Sequence, residues 1–401
     1  MERVILHCDC NCFFASVEAA LNPELNNHAF AVCGDPEFRH GIVLAKNERA
    51  KKYGVQTGEA IWQAKAKCPK LVTVAPHYKE YKDFSKRIFD IYCRYTDLVE
   101  PFGIDECWLD VTGSVHLFGS GREIADELRG VIRNEIGVTI SVGVSFNKIF
   151  AKMGSDYKKP DATTEITPGN FKELLYPLPI GDLFMVGRKT AERLRSIGIK
   201  RIGDAAQMEE HLLYGLLGEN GRTLWQYANG YDYSPVLRFD YREAYKSIGN
   251  GATFKRDLVD SHDVRTCVFF LCDKVAARLR KHNYECSALQ VGIKDTHFKT
   301  IQRSSQLPSP TDLSYDLRNA ALSLIESNID VEKEPIRSLT VTGMKLLNGD
   351  EVCEQISLMD LEYHIKREKE HRLECAKDNI RHKYGLGTIT RCSFIDNDFG
   401  F

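Results

Sequence analysis

Two adjacent carboxylates, Asp105 and Glu106, sit inside an apolar run that includes Phe102, Ile104, Cys107, Trp108 and Leu109. Burying an unpaired carboxylate costs several kcal/mol at least, so something must compensate this pair. Neighbours in a regular strand point to opposite faces, and both acids can meet one ion only near a turn or bulge. Gly103, just upstream, permits such a turn. Asp9 supplies a third carboxylate in a similar setting, at the end of an apolar strand. Three oxygen donors on adjacent strands suit a hard divalent cation that keeps some water and binds phosphates, which describes magnesium. A pair of such ions about 3.5–4 Å apart clamps the attacking and leaving oxygens of an in-line phosphoryl transfer. Taken alone, the dipeptide reads more readily as surface hairpin acids without a metal.

The chain that must position these acids has 401 residues, 43% hydrophobic and 27% charged. That is the composition of a folded protein of two to four domains and excludes collagen-like, low-complexity or largely disordered chains. Fifty-four Lys plus Arg against 56 Asp plus Glu leave a formal charge of −2, which neither argues for a nucleic-acid partner nor excludes one. The amino terminus lacks the longer apolar stretch of a secretory signal, and no run approaches the ~20 apolar residues of a membrane span. Thirteen cysteines is an odd number without a signal, so the expectation is a reduced, cytoplasmic protein with no disulfide framework. Cys8, Cys10 and Cys12 alternate as on one face of a strand. A thiolate metal site is conceivable there, but zinc sites space paired cysteines by two to four residues and need a second pair, so buried strand cysteines are the better reading.

Apolar and β-branched residues predict a strand from Val4 to Phe14, followed by a helix from Ala15 to Leu21 ended by Asn22-Pro23. Short strands are expected at Ala29–Cys33 and Gly41–Leu44, with short helices at Glu48–Tyr53 and Ile61–Lys67. Phe84, Ile88, Ile91 and Tyr92 repeat at helical spacing within Tyr81–Tyr95. A strand pair over Val99–Val111, a helix at Ile124–Ile136, a buried strand at Thr139–Ser145 and a helix at Lys148–Tyr157 complete an α/β or α+β domain over residues 1–165. Residues 166–235 become helical with glycine punctuation. Gly187, Arg188 and Lys189 lead into a helix in the manner of a helix-hairpin-helix, whose turn offers backbone N–H groups to a phosphate; a plain helical hairpin reads about as well. Helical periods at Asp263–Lys281 and Ser314–Ile325 and strands at Ala288–Ile293 and Ser338–Lys345 indicate a second α+β domain. Its positions 241–310 hold twelve Lys/Arg against seven Asp/Glu, which suits a phosphate backbone or a solvated helix face. The tail, 349–401, is polar, with a charged helix over Asp360–Tyr384.

Three segments carry a resemblance. Asp9-Cys10-Asn11-Cys12-Phe13-Phe14-Ala15-Ser16-Val17-Glu18 resembles the amino-terminal motif of the Y-family, or translesion, DNA polymerases. Ile104-Asp105-Glu106-Cys107-Trp108-Leu109-Asp110-Val111-Thr112 resembles their palm motif. Ser141-Val142-Gly143-Val144-Ser145-Phe146-Asn147-Lys148, with Ala151-Lys152, Ser155-Asp156 and Lys159-Pro160, resembles their third. The three occur in family order over about residues 1–348, and the likeness is greatest to the bacterial polymerase IV branch.

The resemblance implies a multidomain α+β right hand: palm over 1–22 and 75–165, fingers over 23–74, a helical thumb over 166–235 and an α+β little finger over 242–348. It implies that Asp9, Asp105 and Glu106, with the Cys10 carbonyl, hold two Mg2+ ions, and that Phe14 is a steric gate against the ribose 2′-hydroxyl. Without the flanking motif, Phe14 would read as ordinary core. Lys152 and Lys159 match basic positions for the incoming dNTP, with Phe13, Tyr78 and Ser85 near the nucleotide. Where most relatives carry Tyr-Glu-Ala-Arg in the fingers, this chain has Glu48-Arg49-Ala50-Lys51, so Lys51 keeps the charge of the arginine but loses its fork. Asn11 stands where many relatives have Asp, whereas polymerase V-type subunits often have Asn there. Primer–template DNA is the implied partner, with Lys246, Ser247 and Lys255 joining the thumb turn in holding it. Gln355, Leu358 and Met359 resemble a sliding-clamp peptide, in which Met359 replaces the usual Phe; a lead into the following helix is the alternative. The expected activity is low-fidelity translesion synthesis by a monomer without proofreading. The rivals are a silent clamp- and DNA-binding subunit on the same scaffold, a polymerase V-type subunit needing partners, and another palm-type nucleotidyl transferase such as a cyclase.

Overall fold

The computed structural model describes residues 2–39, 41–241, 243–351, 361–385, 387–395 and 397–400. They divide into two compact units, one of Met1–Gly34 with Ile42–Arg242 and one of Asp35–Gly41 with Glu243–Phe401. The fold is multidomain α+β.

The first unit runs β1 (Ile5–Cys10), α1 (Phe13–Leu21), β2 (Phe30–Cys33), β3 (Val43–Lys46), α2 (Glu48–Lys52), α3 (Ile61–Lys67), β4 (Val72–Val74) and α4 (Tyr78–Tyr92). It continues through β5 (Val99–Pro101), β6 (Glu106–Asp110), α5 (Val115–Phe118), α6 (Gly121–Ile136), β7 (Ile140–Ser145), α7 (Lys148–Tyr157) and β8 (Thr163–Ile166). Five strands form one sheet in the order β5-β6-β1-β7-β8, and β3-β2-β4 form a smaller one. β1 is central and antiparallel to both neighbours. Leu6, Cys8 and Cys10 point into a core shared with Tyr81, Phe84 and Ile88 of α4 and Ile124, Leu128 and Ile132 of α6. The alternate residues Ile5, His7 and Asp9 therefore face the other side, where Ile5 meets Ala151 of α7.

The first strand is shorter than its apolar run predicts. It stops at Cys10, and Phe13 opens a helix instead of extending the strand. The Asn11 side chain explains the break: its amide donates to Thr139 Oγ1 at 3.1 Å and accepts from Ser141 Oγ at 2.9 Å. Cys12 then turns the chain in the left-handed region, φ 49°, a conformation that costs a non-glycine residue about 1–3 kcal/mol. The predicted helix at 81–95 begins and ends three residues earlier, while those at 61–67 and 148–157 lie where expected. Residues beyond β8 form the helices α8 (Phe171–Leu175), α9 (Arg188–Ser196), α10 (Ile202–Ala206), α11 (Glu210–Leu217) and α12 (Glu219–Ala228). They bury Leu194, Ile202 and Leu213 against Phe150 and Met153 of α7.

The second unit is built from β9 (Ser247–Leu258), α13 (Ser261–Lys281), β10 (Tyr284–Asp295), β11 (Thr300–Thr311), α14 (Ser314–Glu326), β12 (Ile336–Asn348) and α15 (Leu361–Tyr384). Its sheet is antiparallel in the order β11-β10-β12-β9. Val268, Leu271 and Val275 of α13 pack on Leu289, Val291, Leu339 and Val341 of the sheet. α15 docks through ions: Arg280 contacts Glu374 at 2.5 Å and Asp378 at 2.7 Å, and Arg381 reaches Asp273 at 2.8 Å. The twelve cysteines among the described residues are free. No helix among them is long and apolar enough to cross a membrane.

Candidate active site

Strand register brings the acids together. Asp9 on β1 is the cross-strand partner of Glu106 on β6, so residues 97 apart in sequence share one face of the sheet. Asp105 lies in the bend just before β6, and its carbonyl accepts the Cys10 N–H at 3.0 Å. Outside the regular strand, its side chain is free of the alternation that would have sent it to the opposite face. All three carboxylates line one cavity of about 450 Å3, together with Cys10, Phe13 and Phe14. Burial first, and then the charges of Asp9 and Glu106, push the Asp105 carboxyl up to about 6. Burial also opposes ionisation of Glu106, but contacts from His7 and Lys152 outweigh it and hold that carboxyl at about 2.

α7 and the residues just after it deliver the cations. Lys152 Nζ lies 2.7 Å from Glu106 and 3.2 Å from Asp9, while Lys159 Nζ lies 2.7 Å from both Asp9 and Asp156. Burial works against both ammonium charges, yet these carboxylates hold both pKa values above the usual lysine range. Close packing puts the helix there. A Cβ at Gly143 on β7 would overlap the Ala151 carbonyl oxygen and come within 2.5 Å of Ser155 N, so only glycine lets α7 approach. Asn147 caps the helix by accepting from Phe150 N at 2.7 Å, and Lys148 pairs with Glu100 at 2.7 Å. Trp108 Nε1 donates to the Lys148 carbonyl at 2.9 Å.

Phe14 lies on the cavity wall, stacked on Tyr81 with ring centroids 4.2 Å apart and an interplanar angle of 13°. Tyr81 is itself fixed, donating to Glu18 at 2.5 Å. Tyr78 stands edge-on to Phe14 at 6.0 Å and does not line the cavity. Phe13 is almost wholly buried.

Residues 8–156 match the impB/mucB/samB family, residues 245–358 match its C-terminal domain, and residues 168–199 match the HHH motif of the same family. DNA polymerase IV of Acetivibrio thermocellus is 46% identical over 391 residues, which is 98% of this chain and 97% of that protein. DNA polymerase IV 1 of Bacillus subtilis is 35% identical, covering 97% of this chain and 92% of that protein. The chain belongs to the impB/mucB/samB family, on the DNA polymerase IV branch of the Y-family polymerases. A solved Y-family DNA polymerase chimera superposes with a TM-score of 0.76 over 86% of this chain and 99% of its own, at 24% identity, and so shares the fold.

Glu48 and Lys51, where the resemblance leads one to expect Tyr and Arg, form a pair at 3.4 Å on the cavity wall of this Y-family chain. Glu48 also accepts from Cys12 Sγ at 3.4 Å. Burial, and then Glu48 beside it, push the Cys12 thiol up to about 11, and burial likewise pushes the Cys8 and Cys10 thiols well up. Protonated thiols are poor metal ligands.

Gly187, Arg188, Lys189, Lys246, Ser247 and Lys255 are not among the residues that line the cavity. Gly187 caps α9 with open space where a Cβ would stand, and the Arg188 side chain is 85% exposed, 3.7 Å from Glu192. Lys189 follows on the same exposed first turn. In the second unit, Lys246 is exposed and paired with Glu243 at 3.2 Å, Ser247 begins β9, and the Lys255 N–H donates to the Phe399 carbonyl. Gln355, Leu358 and Met359 lie outside the described residues.

Sequence reading missed His7. Fully buried two residues before Asp9, it places Nδ1 2.8 Å from Ser155 Oγ and Nε2 3.2 Å from Glu106, the latter too poorly directed for a hydrogen bond. His7, Asp9 and Glu106 bring ligand atoms within 4.8 Å of one another. Desolvation lowers the His7 pKa despite these acids. The available signal was its i, i+2 spacing from Asp9, which puts both on one strand face.

Proposed function

We propose that this chain is a DNA-templated DNA polymerase that extends a primer past damaged bases at low fidelity, without proofreading. The observation that carries the reading is the convergence of Asp9, Asp105 and Glu106 on one cavity that also presents lysines and an aromatic wall. Three carboxylates and the Cys10 carbonyl are the hard-oxygen donors that Mg2+ takes. An Asp105 carboxyl pushed to about 6 by burial and by the charges of Asp9 and Glu106 is the kind of strain a divalent cation relieves. Two ions held there would favour loss of the proton from the attacking 3′-hydroxyl and offset the charge that builds on the leaving pyrophosphate.

The chain's own residues do the rest. Lys159, Lys152 and Lys51 bind the triphosphate of the dNTP, and Tyr78 supports Phe14 from behind. Phe14 is held rigid by Tyr81 and fills the space a 2′-hydroxyl would need. In this reading the five-stranded sheet with α1, α4, α6 and α7 is the palm, over 1–22 and 75–165. Residues 23–74 are the fingers, 166–235 the thumb and 242–348 the little finger. Gly187, Arg188 and Lys189 meet DNA phosphates at a helix start, and Lys246, Ser247 and Lys255 meet the template–primer backbone. Gln355, Leu358 and Met359 dock the tail, 349–401, on a sliding clamp, and the enzyme acts as a cytoplasmic monomer.

Primer extension by Asp105→Ala and Glu106→Ala protein tests the reading. Both variants are expected to lose Mg2+-dependent dNTP incorporation. Synthesis retained by either would remove the assignment, and wild-type protein that binds primer–template but incorporates nothing would favour the silent subunit.

A further inference from the structure

Four lysines line the cavity that holds the carboxylates, and three are already matched. Lys152 and Lys159 sit on Asp9, Glu106 and Asp156, and Lys51 lies beside Glu48. Lys46, the last residue of β3, differs. Its Nζ donates to the neutral Thr57 Oγ1 at 3.1 Å, and among the described residues no carboxylate is within ion-pair distance of it. Its ammonium therefore lines the cavity with no carboxylate in contact, Glu59 within electrostatic reach, and donor hydrogens to spare.

The partner adds to this. Thr57 Oγ1 accepts from Lys46, which leaves its own O–H available as a second donor on the same wall. The backbone beneath is fixed: Ala31 pairs with Lys46 across the small sheet, and the next residue, Asn47, accepts from Ala50 N and Phe30 N and donates to the His28 carbonyl. A charged and a neutral donor on a rigid edge, across the cavity from the acids, form a cradle for phosphate oxygens. Glu48 beside Lys51 offsets part of that lysine's attraction for a polyanion.

We infer that Lys46 and Thr57 bind the triphosphate tail of the incoming nucleotide. This rests on the polymerase reading for the identity of the ligand, but the anion site can be measured without turnover. The test uses the full chain as wild type, Lys46→Ala, Lys46→Arg and Thr57→Val. It reads the dNTP KM and kcat in primer extension and, separately, the calorimetric affinity for inorganic tripolyphosphate with Mg2+. Lys46→Ala is expected to raise KM about tenfold, with the loss falling on KM more than kcat, and to weaken tripolyphosphate by a similar factor. Lys46→Arg should restore most of both, and Thr57→Val, on an exposed turn where folding is not at stake, should cost about two- to fourfold. KM and tripolyphosphate affinity within twofold of wild type in Lys46→Ala and Thr57→Val would overturn the inference. Tripolyphosphate binding that depends on Lys46 in a protein that extends no primer would instead keep the anion site and sink the polymerase reading.

Discussion

Replacing Lys152 by methionine removes the ammonium that bridges Asp9 and Glu106 while keeping the apolar stem. The lysine side chain is 13% exposed and those of Asp9 and Glu106 are 7% and 23% exposed, so the lost attraction is only partly screened. Carrying the Glu106 carboxyl from its ordinary 4.5 to about 2 reflects about 3 kcal/mol of favourable interaction. His7 supplies part of that, and Lys152 recovers some desolvation when removed, which leaves about 2 kcal/mol for Lys152→Met at pH 7. For a unit of this size that lowers Tm by about 4–8 °C. The assay is thermal unfolding in EDTA and again with excess Mg2+. Divalent ions on the same carboxylates would stand in for the missing ammonium, so the gap should narrow by at least about half when Mg2+ is added.

The sign with pH follows from the lowered carboxyl. A folded-state pKa below the unfolded one stabilises the protein above the unfolded value, and that stabilisation is lost as pH falls from about 4.5 towards about 2. The difference between wild type and Lys152→Met should therefore shrink across that window. A gap in EDTA below about 1 °C would refute the claim that Lys152 neutralises the acids, and so would a gap that Mg2+ leaves unchanged.

Phe14→Ala should lower discrimination between dNTP and rNTP by an order of magnitude or more while sparing dNTP use, read as the ratio of dATP to rATP incorporation; an unchanged ratio would make Phe14 a packing residue only. Gly143→Ala should cost about 2–4 kcal/mol and most synthesis, because its Cβ would drive α7 off the sheet and move Lys152, measured by urea unfolding and primer extension. Arg280→Ala, in the second unit, strips Glu374 of its cation, leaves Asp378 only the more distant Arg381, and should destabilise that unit by about 2–4 kcal/mol in urea, with DNA synthesis chemistry untouched.

What was legible in the sequence was whatever a local pattern reports. α7 lies at its expected residues because its Asn147 cap and the helical spacing of its buried residues are local signals. β11 escaped the same reading. Its residues Thr300–Thr311 include Pro308, Pro310 and a run of Ser and Gln that resembles a loop. It is an edge strand, and an edge strand tolerates proline because one side of its ladder is unpaired. β1 was overextended for the opposite reason: the apolar signal continues through Phe13 and Phe14, while the break comes from Asn11, whose partners Thr139 and Ser141 are far away in sequence.

The site divides along the same line. Asp9, Asp105 and Glu106 stand out because acids inside apolar runs are costly, and that cost is visible residue by residue. His7 and Lys46 carry no such mark. A histidine in a strand and a lysine before a helix cap are ordinary, and they become notable only through neighbours the register supplies: Glu106 and Ser155 for one, Thr57 and the cavity for the other. Their importance is a matter of charge left over once the other groups are paired, and pairing is a property of the folded chain. Lys46→Ala and Lys152→Met should therefore fail in different ways, the first by weakening a polyanion and the second by exposing acids to one another. A protein in which both variants lost the same function to the same extent would have a single undivided electrostatic site, contrary to the two walls that its carboxylates and Lys46 define.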